Sequence, residues 1–374
     1  TMKIVFFDPV HWDYSPLTPY QKPLGGTQSA VCYLSTALSE LGHQVYLINN
    51  IRNSKEINGV NCLNIRSNDQ YLKEIINSSD ICIVIALPSL VNGLKSLFTG
   101  NVKFFLWCQH SYNQPVLESL YSTEVKRSWD GYIFVSNWQR DKFCSVFGLE
   151  KNKTFILRNA ISPLIYSLFD KKKSISKSKQ SEDTIFYSST PFRGLDILID
   201  VFPSIKIKLP EVKLKVFSCL KTYQVDKEND NYRYLYKQCE AMNGVEYIGS
   251  LSQSELAPHL KKASILAYPN SFEETSCISV MEALASGCAV VTSDLGALPE
   301  TSSGFASLVK GKPGSDQYKK NFIDEIDKTY KLFKGDDSFL DRKLRNQVDY
   351  FLLNNNWERR AHELIEIIHD SEII

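Results

Sequence analysis

Short, unbroken apolar runs recur along this chain, and each is followed by a stretch with helical apolar spacing. Lys3-Ile4-Val5-Phe6-Phe7 is the first such run. A strand that is apolar on both faces has to be covered on both faces, which is the situation inside a parallel sheet. A proline-punctuated loop (Pro16, Pro19, Pro23) leads to Gly25-Gly26-Thr27. A helix is then expected, with Ala30, Val31, Leu34, Ala37, Leu38 and Leu41 on one side and Gly42 as its stop. The alternation continues, with strands expected at 43–49, 60–65, 80–86, 102–108, 131–136 and 154–157. Helices are expected at 70–76, 90–98, around 115–126 and at 137–147. Repeated β-α units predict a doubly wound parallel sheet, in which ligands bind beyond the carboxyl ends of the strands. Those ends carry Asp8 to His11, Gly25-Gly26, His110, Ser136 and Asn159.

The pattern breaks at 171–181, where Lys171-Lys172-Lys173, Lys177 and Lys179 stand among serines. This polar stretch without apolar period reads as a linker or exposed loop. It leaves contact with an anionic lipid or glycan surface open. The alternation then restarts, with strands at 184–187, 212–217 and 245–248 and a capping box, Ser252-Gln253-Ser254-Glu255, ahead of a helix at 256–262. Two Rossmann-like domains of α/β class follow, 1–165 and 166–354, with an amphipathic helix at about 355–374. Lysine and arginine number 43 against 42 aspartates and glutamates, so the balance offers nothing to attract nucleic acid. Nine cysteines without a C-x-x-C pair read as reduced core residues of a cytoplasmic protein. No apolar run is long enough to span a membrane, and Lys3 to Phe7 reads as core with no leader expected before it. Peripheral contact with the inner face of a membrane is left open, and the oligomeric state is not indicated.

The chemistry concentrates in 263–292. A buried strand at 263–269 precedes Glu274 and Glu282, a helix is expected between them with Thr275 or Ser276 as its cap, and Gly287 stops it before a strand at 288–292. Eight residues at about 100° each bring the two carboxylates to within about 80° of one another. Paired carboxylates fit acid–base hydrolysis, metal binding or hydroxyl recognition. The six histidines are scattered and no H-E-x-x-H or cysteine–histidine cluster exists, so no metal site is expected. Gly25-Gly26-Thr27 stands at a strand-to-helix turn where amides can meet a phosphate. Arg193, in Ser188-Ser189-Thr190-Pro191-Phe192-Arg193-Gly194-Leu195, stands at another such turn. Gly249-Ser250-Leu251 ends a strand where the main chain can meet a base, and His110 follows a strand end where it can line a cleft.

Taken together, Pro269-Asn270-Ser271, Glu274-x7-Glu282, Ala283-Leu284-Ala285-Ser286-Gly287, Val290-Val291-Thr292 and Gly296-Ala297-Leu298-Pro299-Glu300 resemble the donor-binding half of retaining glycosyltransferases of family 4. Weaker matches at Gly25-Gly26, Ser136, Asn159, Arg193-Gly194-Leu195 and Trp357 extend the resemblance over most of the chain. It implies the GT-B architecture, with two Rossmann-like domains facing a cleft and the C-terminal helix at about 355–374 packing back on the first. It also implies a UDP- or GDP-sugar as co-substrate, no further cofactor, metal-independent transfer and retention of configuration. The acceptor implied is a glycan, a lipid-linked glycan or a surface-polysaccharide precursor.

Residue by residue, the resemblance implies that Glu282 holds the ribose hydroxyls. Glu274 binds hydroxyls of the transferred sugar, beside Thr275 and the amides of Ser276, Cys277 and Ile278. Arg193 neutralises the diphosphate, Gly25 and Gly26 approach it, and His110 lies near the sugar. Gly249, Ser250 and Leu251 meet the nucleotide, and Ser136 and Asn159 fall on the acceptor side. The chain departs from the family pattern at Ser188, where an arginine is common, and at Thr275-Ser276-Cys277, where a glycine-rich turn is common. A nucleotide-sugar epimerase or hydrolase on the same fold, or a non-catalytic nucleotide-sugar-binding relative, are the alternatives.

Overall fold

The computed structural model describes residues 1–98, 100–335 and 338–372. They fall into two compact units. The first comprises Thr1–Thr18, Gly26–Ala160 and the helix Trp357–Ser371; the second comprises Pro19–Gly25 and Ile161–Asn356.

Eight strands form the sheet of the first unit: β1 (Lys3–Phe7), β2 (Gln44–Asn49), β3 (Lys55–Ile57), β4 (Val60–Asn64), β5 (Ile81–Ile85), β6 (Lys103–Cys108), β7 (Gly131–Phe134) and β8 (Thr154–Ile156). Their order is β3-β4-β2-β1-β5-β6-β7-β8. All pairs are parallel except the short antiparallel β3–β4 pair. β5 is buried along its whole length, as its unbroken apolar run demands. The helix Trp357–Ser371 packs on Gly26–Glu40, with the Tyr33 and Trp357 rings 5.9 Å apart.

The second unit has a six-stranded, wholly parallel sheet: β9 (Thr184–Ser188), β10 (Lys213–Phe217), β11 (Val245–Tyr247), β12 (Ile265–Tyr268), β13 (Ala289–Ser293) and β14 (Ser307–Val309), in the order β11-β10-β9-β12-β13-β14. The order reverses at β9, next to β12. A crevice beyond the carboxyl ends of two such strands is where an open α/β sheet binds ligands.

Three expectations need correction. The stretch expected as a linker holds a helix, Ile175–Gln180, capped by Ser174 Oγ. Ile175 and Lys179 are both buried. The Lys179 ammonium donates to Leu260 O and Ser286 O, each at 2.6 Å. Those carbonyls lie at the C-terminal ends of the helices Gln253–Lys262 and Ile278–Ala285. A cation is favourable there, but only tertiary structure brings those ends to a lysine. The single helix expected around 115–126 is a 3₁₀ segment, Pro115–Tyr121, followed by a helix Thr123–Ser128 with Ser122 as its cap. The helix expected between the two glutamates starts only at Ile278. Its N-cap is Cys277, with φ of 78° and no capping hydrogen bond, rather than Thr275 or Ser276. The short strands β3 and β14 and the helices Leu298–Ser302, Asp316–Lys334 and Ser338–Asn354 were not expected.

Candidate functional site

The second unit gathers its site residues at the ends of β9 and β12. β9 delivers Ser188, and a 3₁₀ turn Pro191–Arg193 presents Arg193. β12 ends in Tyr268, and the chain then runs through Asn270 to Glu274. The Ser271 N–H donates to Arg193 O (3.1 Å), tying the two loops together. Gly194 has φ of 129°, and a Cβ there would run into Pro269 O, so a side chain would push the loops apart.

Glu274 is buried among donors. Arg193 Nη1 lies 3.1 Å from its Oε1 and 3.0 Å from its Oε2. Tyr268 Oη donates to Oε1 at 2.5 Å and Asn270 Nδ2 donates to it at 3.1 Å. Among the described residues Oε1 thus accepts three hydrogen bonds, while Oε2 accepts from Arg193. The backbone is held as firmly. The Ala297 N–H donates to Glu274 O (2.8 Å). Gly296, with φ of 55°, lies so close that a Cβ would sit 2.7 Å from Glu274 O and 2.8 Å from Glu274 N. Gly296-Ala297 in the sequence pattern is therefore a backbone clamp on Glu274.

Arg193 is clamped on its other faces. Its Cζ lies 4.8 Å from the centre of the Phe272 ring and 5.4 Å from that of Phe192, within the range of cation–π attraction. Its Nη2 reaches Tyr223 Oη at 3.4 Å, and its Nε is buried without a hydrogen-bond partner among the described residues. Burial opposes the charge, yet the Glu274 carboxylate and neighbouring Tyr223 and Tyr268 hold the guanidinium pKa above its ordinary value.

Glu282 is different. It sits in the helix Ile278–Ala285, 5% exposed. Its Oε2 accepts the Ser162 N–H at 2.7 Å. No cation pairs with it among the described residues, and burial pushes its pKa up to about 7, with the Ser162 amide pulling the other way. Ser279 Oγ, in the first turn of the same helix, donates to Ser188 O, and Thr301 Oγ1 donates to Ser276 O. Thr275, Ser276 and Cys277 are buried and Ile278 is half-buried. Next to this group, at the ends of β10 and β11, Cys219 Sγ and Ser250 Oγ are 3.1 Å apart, and the Gly249 N–H donates to Val216 O (3.3 Å). Leu251 is half-buried there.

In the first unit, Gly26 opens the helix Gly26–Glu40, while Gly25 ends the segment assigned to the second unit. His110 lies just past β6, its pKa lowered by burial, with Nδ1 unpartnered among the described residues. Ser136 is an N-cap, its Oγ accepting the Gln139 N–H at 3.1 Å. The Asn159 side chain pairs reciprocally with that of Gln109 (2.9 and 3.0 Å), and its carbonyl accepts from Arg360 Nε and Nη2 (3.3 and 3.2 Å). Both polar side chains thus hold the fold. Among the described residues no group of three or more His, Cys, Asp or Glu could hold a metal ion, and no helix is long and apolar enough to cross a membrane. Tyr268, Asn270, Ser162, Phe192 and Phe272 were missed as site residues. A tyrosine closing an otherwise aliphatic strand just before Pro269-Asn270 was the available signal.

Residues 169–327 match the model of the family described as glycosyl transferases group 1. That segment contains Arg193, Glu274, Glu282 and Gly296. An uncharacterized glycosyltransferase of Methanocaldococcus jannaschii is 23% identical over 337 residues, which span 78% of this chain and 81% of that protein. A glycosyltransferase from Rickettsia africae superposes over 99% of this chain and 98% of its own, with a TM-score of 0.74 at 15% identity. Anabaena HepE, solved in complex with UDP-glucose, covers 99% of this chain and 100% of its own, with a TM-score of 0.69 at 14% identity. The fold is that of GT-B glycosyltransferases, two Rossmann-like parallel-sheet domains. The matched segment is a glycosyltransferase domain of the group 1 type.

Proposed function

We propose that this protein is a retaining, metal-independent glycosyltransferase. It moves a sugar from a UDP- or GDP-sugar to a glycan, a lipid-linked glycan or a surface-polysaccharide precursor. The observation that carries this reading is the pair of buried carboxylates, Glu274 and Glu282, on one loop-and-helix segment at the carboxyl ends of β9 and β12. Glu282 accepts the ribose hydroxyls through the oxygen that Ser162 leaves open. Glu274 Oε2 accepts a hydroxyl of the transferred sugar, beside the amides of Ser276, Cys277 and Ile278. The main chain at Gly249-Ser250-Leu251 meets the base. Arg193 serves twice: Nη1 orients Glu274, and its charge opposes the negative charge that develops on the diphosphate as the glycosyl bond breaks. The leaving phosphate takes the acceptor proton on the same face, so Glu274 is not a covalent nucleophile.

A thermal-shift screen of nucleoside diphosphates and nucleotide sugars tests this directly, because a ligand of the folded state raises Tm by mass action. UDP or GDP and one of their sugars should raise it. Transfer with that donor should then yield a product of unchanged anomeric configuration by NMR and should persist in EDTA. Rapid isomerisation or hydrolysis of the donor without acceptor would replace this reading with an epimerase or hydrolase. No response to any nucleotide would sink it.

A further inference from the structure

The connection from β10 to the helix Arg233–Ala241 runs over 218–232, where a strand-to-helix loop ordinarily takes about two to six residues. Long loops that keep a fixed shape commonly carry function. This one is fastened by a single buried side chain. Asp230, 2% exposed, accepts the Leu220 N–H at 3.0 Å and the Tyr236 O–H at 2.7 Å through Oδ2. Its Oδ1 accepts the Tyr232 N–H at 2.9 Å. The loop contains two 3₁₀ turns, Leu220–Tyr223 and Lys227–Asn229. Gln224, with φ of 60°, closes the first turn. The Gln224 and Val225 N–H groups return to the carbonyls of Lys221 and Leu220, at 2.9 and 3.2 Å.

That first turn brings Tyr223 to Arg193. The Tyr223 Oη accepts from Arg193 Nη2 at 3.4 Å, and its ring lies 6.5 Å from that of Phe192 with 22° between their planes. Phe192 in turn stands 5.4 Å from Arg193 Cζ. Glu274 holds the other terminal nitrogen, Nη1. A planar guanidinium tied at one terminal nitrogen can still swing. Tied at both, with rings against it, it keeps one plane. We propose that Tyr223 is a positioning residue for glycosyl transfer, which fixes the Arg193 guanidinium and is itself fixed by the loop that Asp230 fastens. The inference rests on the role given to Arg193 above and names what holds that charge in place. A charge that must meet a developing negative charge loses its effect when misplaced, so the loss shows in turnover rather than in donor binding.

Release of UDP or GDP from a panel of UDP- and GDP-sugars tests it on the full chain. Slow cleavage with water as acceptor suffices, because the same charge develops on the diphosphate. Tyr223→Phe should lower turnover about tenfold, the effect of losing one hydrogen bond to a charged group. Donor KM and Tm should stay unchanged. Asp230→Asn should also lower turnover, and combining it with Tyr223→Phe should add little, because both act through one contact. In an Arg193→Lys background, which offers a single nitrogen, Tyr223→Phe should have no further effect. A purely structural role for Tyr223 would persist in that background. Unchanged turnover in Tyr223→Phe, a rise in KM alone, or an equal loss in the Arg193→Lys background would overturn the proposal and leave the transfer reading standing. A parent that cleaves none of the nucleotide sugars would overturn both.

Discussion

Glu274 and Glu282 stand eight residues apart in one motif, yet their surroundings are opposite. Among the described residues Glu274 has an arginine, a tyrosine and an asparagine as donors, and Glu282 has one backbone amide. Burial is similar, 3% and 5% exposed, so desolvation does not distinguish them. Supply of partners does. A carboxylate with a cation and several donors is held in one orientation, whereas one with a single amide is destabilised as an anion by burial. A motif of two glutamates is thus one rigid, cation-paired acceptor and one carboxyl poised near neutrality, ready to ionise against hydroxyl donors.

The most severe way to break this contrast is Glu274→Ala. It strands the mostly buried Arg193 guanidinium without its carboxylate, and the stability loss in urea unfolding should be about 3 kcal/mol, with transfer abolished. Replacing both partners, Arg193→Met with Glu274→Leu, should recover much of the stability and none of the transfer. A loss below about 1 kcal/mol for the single variant would mean the pair does not anchor the site.

Glu282→Gln should go the other way. The native carboxyl titrates near 7 against an ordinary 4.5, so the folded state holds its proton more tightly than the unfolded chain does. Its contribution is fully present below pH 4.5 and is lost as pH rises to 7. At pH 8 the charged form costs about 3 kcal/mol, which glutamine removes while still accepting the Ser162 N–H. The variant should therefore unfold at higher temperature than the parent at pH 8 and not at pH 4, while its donor KM rises. A pH-independent difference would show that Glu282 is not buried as an anion.

Tyr268→Phe sharpens the contrast from the side of Glu274. It removes one hydrogen bond to a carboxylate, an effect of about 1.5 kcal/mol. The loss should appear as lowered stability in urea unfolding. Unchanged stability would mean that Arg193 and Asn270 alone hold Glu274 in place.

Much of this site was legible. Glu274, Glu282, Arg193 and the Gly296-Ala297 turn stood out as residue types at family spacing, and the structure gathers them at the ends of neighbouring strands. The pairing of Arg193 with Glu274 was not legible, because each had been given a separate ligand. Nor were Tyr268 and Ser162 as partners, since an aromatic at a strand end or a serine in a loop has no signature of its own. The partners of Ser136 and Asn159 were not legible either: Ser136 caps a helix start, and Asn159 bonds to the Gln109 and Arg360 side chains, which lie far away in sequence.

By itself the sequence determined the alternation of strand and helix, the parallel sheets and the motif residues. Apolar period, glycine stops and capping signals act over a few residues, and so they survive in one dimension. Only the tertiary structure decided that Lys179 is buried, that Cys277 takes a left-handed backbone at the helix start, and that the two glutamates have different partners. Each of these depends on desolvation and on partners supplied from elsewhere in the chain: Leu260 and Ser286 for the lysine, Arg193 and Ser162 for the carboxylates. Electrostatics in a protein interior is set by what packs around a group, and local sequence does not encode that.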